Sequence, residues 1–129
     1  MKQLHTLKND LNQSRVVSEK LGEDIQDGEV LLQIEKFSFT SNNVTYGAAG
    51  DTIGYWQFFP AKENSDNSWG CIPVWGFAEV VLSKNDGIEN GERVFGYFPP
   101  ANSLIVKPIK VSSQSFSDGK EHRQELPPV

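Results

Sequence analysis

The chain has 129 residues, 37% of them hydrophobic and 22% charged, with a formal charge of −5. That suits a single domain with one apolar core and excludes a disordered polymer. An acidic chain with no basic cluster beyond the Lys107 and Lys110 pair excludes a nucleic-acid-binding surface, and the lack of eighteen consecutive apolar residues excludes a membrane-spanning helix.

The first segment, 1–13, is polar throughout and has no apolar signal-peptide core. It reads as a flexible lead-in, although Leu4, Leu7 and Leu11 fall at helical spacing. Without a leader, and with Cys71 as its single cysteine, the chain reads as cytoplasmic. Arg15–Glu19 is a short strand candidate, and Gly22–Gly28 is an acidic, turn-rich loop.

Glu29–Phe39 is the clearest strand. Val30, Leu32 and Ile34 alternate with Leu31, Gln33 and Glu35, and the phase then slips at Phe37 and Phe39, which predicts a bulge or the exit from the sheet. Thr40 to Asn43 are capping residue types, so a helical turn is expected over Val44–Tyr46. Gly47, Gly50 and Gly54 break regular structure after it, and Ala61–Gly70 reads as a flexible polar loop.

Pro73–Ser83 is apolar on both parities, the pattern of a central strand covered on both faces. Asp86-Gly87 and Asn90-Gly91 are turn pairs between antiparallel strands. Glu92–Phe98 is a third strand, Pro99-Pro100 a stop, and Ser103–Val111 a fourth strand. Together these predict a mainly β, barrel-like domain over residues 14–111. The segment 112–129 is a polar linker that runs into Leu126-Pro-Pro-Val129.

The order Glu29-Val-Leu-Leu-Gln-Ile34, Pro73-Val-Trp-Gly-Phe-Ala78 and Gly91-Glu-Arg-Val-Phe-Gly96 resembles the GroES-like N-terminal domain of the medium-chain dehydrogenase/reductase superfamily. More narrowly, Thr40-Ser-Asn-Asn-Val-Thr-Tyr46 with Gly54-Tyr-Trp-Gln-Phe-Phe-Pro60 resembles an uncharacterised, reductase-like bacterial family that carries an unknown-function label. The resemblance implies a partly open β-barrel with one or two short helical turns, forming the substrate side of a cleft. It also implies a Rossmann domain that would start near Val129 and bind NADP. No G-x-G-x-x-G loop occurs in the chain, so no cofactor is expected unless such a domain is supplied. The zinc branch of that superfamily is excluded as well. Thr40 and Ser41 stand where its cysteine falls, and Cys71, His5 and His122 make no ligand set.

The candidate ligand site is Asn42, Asn43, Tyr46, Tyr55 and Trp56. Their amide, phenol and indole groups suit a small aromatic or carbonyl ligand. The competing reading makes Asn42 and Asn43 helix caps, Tyr46 rim packing, and Tyr55 and Trp56 a plug in the barrel end. Trp75 reads as core, Trp69 is open between a pocket or docking surface and barrel packing, and Cys71 reads as an inert buried thiol. No catalytic residue is assigned. Three functions remain open: a ligand-binding module, a self-associating module (most simply a dimer), and the substrate half of a zinc-independent NADPH-dependent quinone or enone reductase.

Overall fold

The computed structural model describes residues 1–18, 25–48, 50, 55–62 and 64–120. Expectations for Glu19, Gly22, Gly54, His122 and the Leu126–Val129 end lie outside the described residues. The chain is mainly β, with one α-helix among the described residues.

Lys2–Leu7 (β1) and Asp10–Ser18 (β2) form an antiparallel hairpin, and Trp69–Gly70 (β4) pairs with the other edge of β1. The lead-in reading is therefore wrong for residues 2–7. The inward side chains of β1 are polar, Gln3, His5 and Thr6, so the apolar alternation that marks a strand is missing. Their hydrogen bonds, described below, replace it.

Val30–Ser38 (β3), Val74–Ser83 (β5), Arg93–Phe98 (β6) and Ser103–Val106 (β7) make an antiparallel sheet in the order β6-β5-β3-β7. The register of β3 on β5 slips between Ile34 and Lys36, at the bulge expected there, and slips again between Leu31 and Leu32. The inward residues Val30, Leu32, Ile34, Val74, Ala78, Val80, Phe98 and Val106 form the main core. Burying one such aliphatic side chain contributes about 1.5–3 kcal/mol.

Pro108–Ile109 (β8) and Ser117–Asp118 (β9) form a separate pair. The predicted fourth strand is thus split at Lys107, and Pro108, which has no N–H to donate, turns the chain toward β9. This corrects the barrel expectation. The described strands form three open sheets, and β6 and β7 are left as unjoined edges. The segment before β7 ties the two larger sheets together. Leu4 N donates to Pro100 O at 2.8 Å, Asn102 N to Lys2 O at 3.1 Å, and Ile34 N to Asn102 O at 2.9 Å.

Ser41–Ala48 is the helix α1, which starts three residues before the predicted turn, ends two residues after it and runs through Gly47. A single 3-10 turn follows at Tyr55–Gln57. The loop before β4, predicted to be flexible, is braced by Asn64, whose Nδ2 donates to Trp69 O at 2.6 Å and whose Oδ1 accepts from Trp69 N at 3.0 Å.

Candidate functional site: an aromatic wall

The proposed site residues divide into two groups. Asn43 is 4% exposed. Its Oδ1 accepts from the Thr40 backbone N at 2.7 Å, its Nδ2 donates to Pro73 O at 2.9 Å, and its own N donates to Thr40 O at 3.0 Å. These bonds start α1 and pin it to the entry of β5, which accounts for the residue type. Trp56 is 7% exposed and lies flat against Gly70. A Cβ at Gly70 would stand 2.3 Å from Trp56 Cε3, so glycine is required there. Lys8 Nζ sits 5.8 Å from the indole centroid. Trp56 is therefore a plug for the small sheet.

Asn42 is exposed on α1, whereas Tyr46 and Tyr55 are half-buried with their rings 4.7 Å apart. The wall continues from there, with Tyr46 to Tyr97 at 6.3 Å, Tyr97 to Trp75 at 5.0 Å, Trp75 to Phe95 at 5.6 Å and Phe95 to Phe77 at 5.1 Å. Two of the five predicted residues, Tyr46 and Tyr55, thus belong to one connected surface, and Asn43 and Trp56 turn away from it.

The outward end of this wall was misread from sequence. In β5, Val74, Gly76, Ala78 and Val80 are buried, whereas Trp75, Phe77, Glu79 and Val81 are exposed. Among the described residues, nothing covers that outer face. Phe95 is 61% exposed, and Trp75, read as core, is 36% exposed. The available signal was size: the buried parity carries small residues at Gly76 and Ala78, and the aromatics all fall on the other parity. Charges surround the aromatics. Arg93 pairs with Glu35 at 3.1 Å and lies 4.7 Å from the Phe77 ring centroid, and Lys36 lies 5.9 Å from the same centroid.

DUF2855, a family of proteins of unknown function, matches residues 37–129. The chain belongs to the DUF2855 family. Both residue blocks that carry the narrower resemblance, Thr40–Tyr46 and Gly54–Pro60, lie inside the DUF2855 match. So do the helix, the aromatic wall and all of β5 to β9. No curated protein shows a significant match to the chain.

Two further buried groups bear on chemistry in this chain, Cys71 inside the DUF2855 match and His5 outside it. Cys71 is fully buried, and burial pushes its thiol up to about 12, so the nucleophilic thiolate is suppressed. His5 is also fully buried. Its Nδ1 accepts from Arg15 Nε at 3.0 Å, so Nε2 carries the proton and donates to Gln3 Oε1 at 2.6 Å. Burial first, and the Arg15 charge second, hold the imidazole below its ordinary value of 6.5. Among the described residues, no three His, Cys, Asp or Glu side chains gather as a metal site would require. No helix among them is long and apolar enough to cross a membrane.

The His5 shift has a definite sign. The unfolded chain takes up the His5 proton near pH 6.5 and the folded chain only at lower pH. The stability held above that pH is therefore expected to fall as pH drops below it. Urea midpoints at pH 7.5 and 5.5 test this: the wild-type midpoint should drop, and His5→Asn should show a smaller drop from a lower start. An equal drop in both proteins would remove His5 as the cause. Glu29, held below its ordinary 4.5 chiefly by its hydrogen bond with Lys120, acts in a separate, more acidic window.

Proposed function

We propose that this domain is a cytoplasmic, non-catalytic module that self-associates through the outer face of β5 and β6. The carrying observation is the exposed set of Trp75, Phe77 and Phe95 inside a charged rim. Monomers rarely leave such an apolar patch bare, and an aromatic centre with a polar rim is the anatomy of an interface. A second copy of the chain is the occupant that the charges favour. Lys36 and Arg93 balance Glu35 and Glu79 on the same face. A two-fold axis brings that face against itself, so each cation can meet an anion.

The finer relationship we propose is to the GroES-like substrate domain of the medium-chain dehydrogenases. Its support is positional, since the three resembling blocks fall on β3, β5 and β6, neighbours in one sheet. Under that ancestry, the bare face is the surface left open for a nucleotide-binding half. The rival occupant is then a separate NADP-binding chain, and the activity a zinc-independent reduction of a quinone or enone. The ligand reading of Asn42, Tyr46 and Tyr55 keeps its support only at the rim, where the two tyrosines remain partly open.

Sedimentation across a concentration series tests self-association. The wild-type chain is expected to dimerise, and Phe95→Ser, at an exposed position that should not affect folding, is expected to weaken the dimer. Losing a central aromatic anchor costs about 2 kcal/mol or more, roughly thirtyfold in the dissociation constant. A wild-type monomer at high concentration, or a Phe95→Ser dimer of unchanged strength, would overturn the proposal.

A further inference from the structure

On the inward side of the large sheet, between its unjoined edges, lies a cleft that meets the aromatic wall only at Phe95 and Tyr97 of β6 and is not lined by Trp75 or Phe77. It measures about 890 Å³. Its floor is the inward face of the sheet, with Leu32, Val94, Phe98, Leu104 and Val106, and Phe116 from the arm before β9 contributes another wall. Small-molecule sites run to about 300–1,000 Å³ and are mostly apolar with a few placed polar groups. The cleft falls within that size range, and its apolar floor faces a polar wall from the arm between β8 and β9.

Its charges are unevenly engaged. Four charged residues line it: Glu92, Arg93, Lys110 and Asp118. Glu92 Oε2 accepts from Glu89 N at 3.0 Å, Arg93 pairs with Glu35 on the outer face, and Asp118 Oδ1 accepts from Lys107 N and Lys120 N, each at 3.1 Å. Lys110 has no carboxylate partner among the described residues. The apolar floor and the one unmatched cation lie in the same cleft.

We infer that this cleft binds an amphiphile with a single anionic head and an apolar chain, the head at Lys110 and the chain against Leu32, Phe98 and Leu104. The outer face serves association and this inner cleft serves the ligand, so the two roles can be separated by mutation. A carboxylate or a phosphate head satisfies the same cation. Laurate and dodecyl phosphate are the two arms that distinguish them.

Gly96 supplies the test. It sits on the inward parity of β6, and a Cβ there would meet only the Phe98 ring edge, at 3.6 Å and beyond, so there is room for a side chain. Gly96→Leu would project into the cleft. Titration calorimetry below the micelle concentration is expected to show saturable one-to-one binding of laurate, dodecyl phosphate or both. Gly96→Leu should weaken it at least tenfold. Lys110→Asn, chosen because asparagine tolerates the left-handed backbone found there (φ 53°), should weaken it roughly threefold to fivefold. Phe77→Ser, on the outer face and outside the cleft lining, should leave it unchanged. No saturable binding of either probe would overturn the inference. So would affinity unchanged in both Gly96→Leu and Lys110→Asn, or binding lost in Phe77→Ser.

Discussion

Replacing Trp56 with alanine is expected to lower the stability of the domain by about 3–5 kcal/mol, the usual cost of emptying a large aromatic site. The side chain is 7% exposed and rests on Gly70 in β4. The neighbouring glycine leaves a flat floor with no side chain that could move into the space. Domains of this size hold about 5–15 kcal/mol in all, so the variant should unfold at a much lower urea concentration. Its hairpin of β1 and β2 should lose amide protection first, since β4 pairs with β1. A midpoint shift worth less than about 1 kcal/mol would show that Trp56 is not the plug described here. Its burial makes Trp56 a probe of folding, and Phe77 and Gly96 are the positions that separate assembly from ligand binding.

Gly76→Ala is expected to cost about 2–3 kcal/mol, the upper part of the range for forced overpacking. A Cβ at Gly76 would lie 2.2 Å from the Lys36 carbonyl oxygen and 2.9 Å from Phe37 Cα. Both are backbone atoms of the paired strand, so no rotamer change relieves the collision. The strands must separate just beyond the β3 bulge, and Trp75 and Phe77 on either side would shift with them. The variant should therefore lose self-association along with stability. Gly96→Ala, on the neighbouring strand directly opposite Gly76, is the control. Its new methyl group finds only an ordinary contact, and it should be neutral or slightly stabilising. Equal thermal midpoints for the two variants would contradict the packing described for Gly76.

What was legible in the sequence follows from which signals are local. The alternation in Glu29–Phe39, its slip at Phe37 and the turn pairs before β6 are short-range patterns, and each corresponds to the observed strand, bulge and connection. The capping residues before α1 were equally legible, because Asn43 bonds back to Thr40 three residues away. β1 was not legible. Its inward residues, Gln3 and His5, are stabilised by Arg15 and by the backbone of Lys62, partners that no local window contains. β5 was recognised as a strand, but its coverage was misjudged. Apolar residues on both parities do not reveal whether something lies over each face, and here the outer face carries Trp75 and Phe77 uncovered. The barrel expectation failed after β7, where the chain pairs β8 with β9, and β6 and β7 stay unjoined. The aromatic block pointed to a family of unknown function, and one matches there, yet two of the five singled-out residues, Asn43 and Trp56, hold the fold together.

The bonds that join Lys2 and Leu4 to Pro100 and Asn102 also set an order of assembly. β1 cannot complete its bonding until about a hundred further residues have emerged, with Lys2 and Asn102 a hundred positions apart. Until then, the hairpin of β1 and β2 holds only its local contacts, and a lone two-stranded hairpin is marginal in water. Contacts this distant along the chain slow the search for the native state. Folding of this domain is therefore set to be a late, concerted event in synthesis, with the N-terminal hairpin waiting exposed for the strands that will hold it.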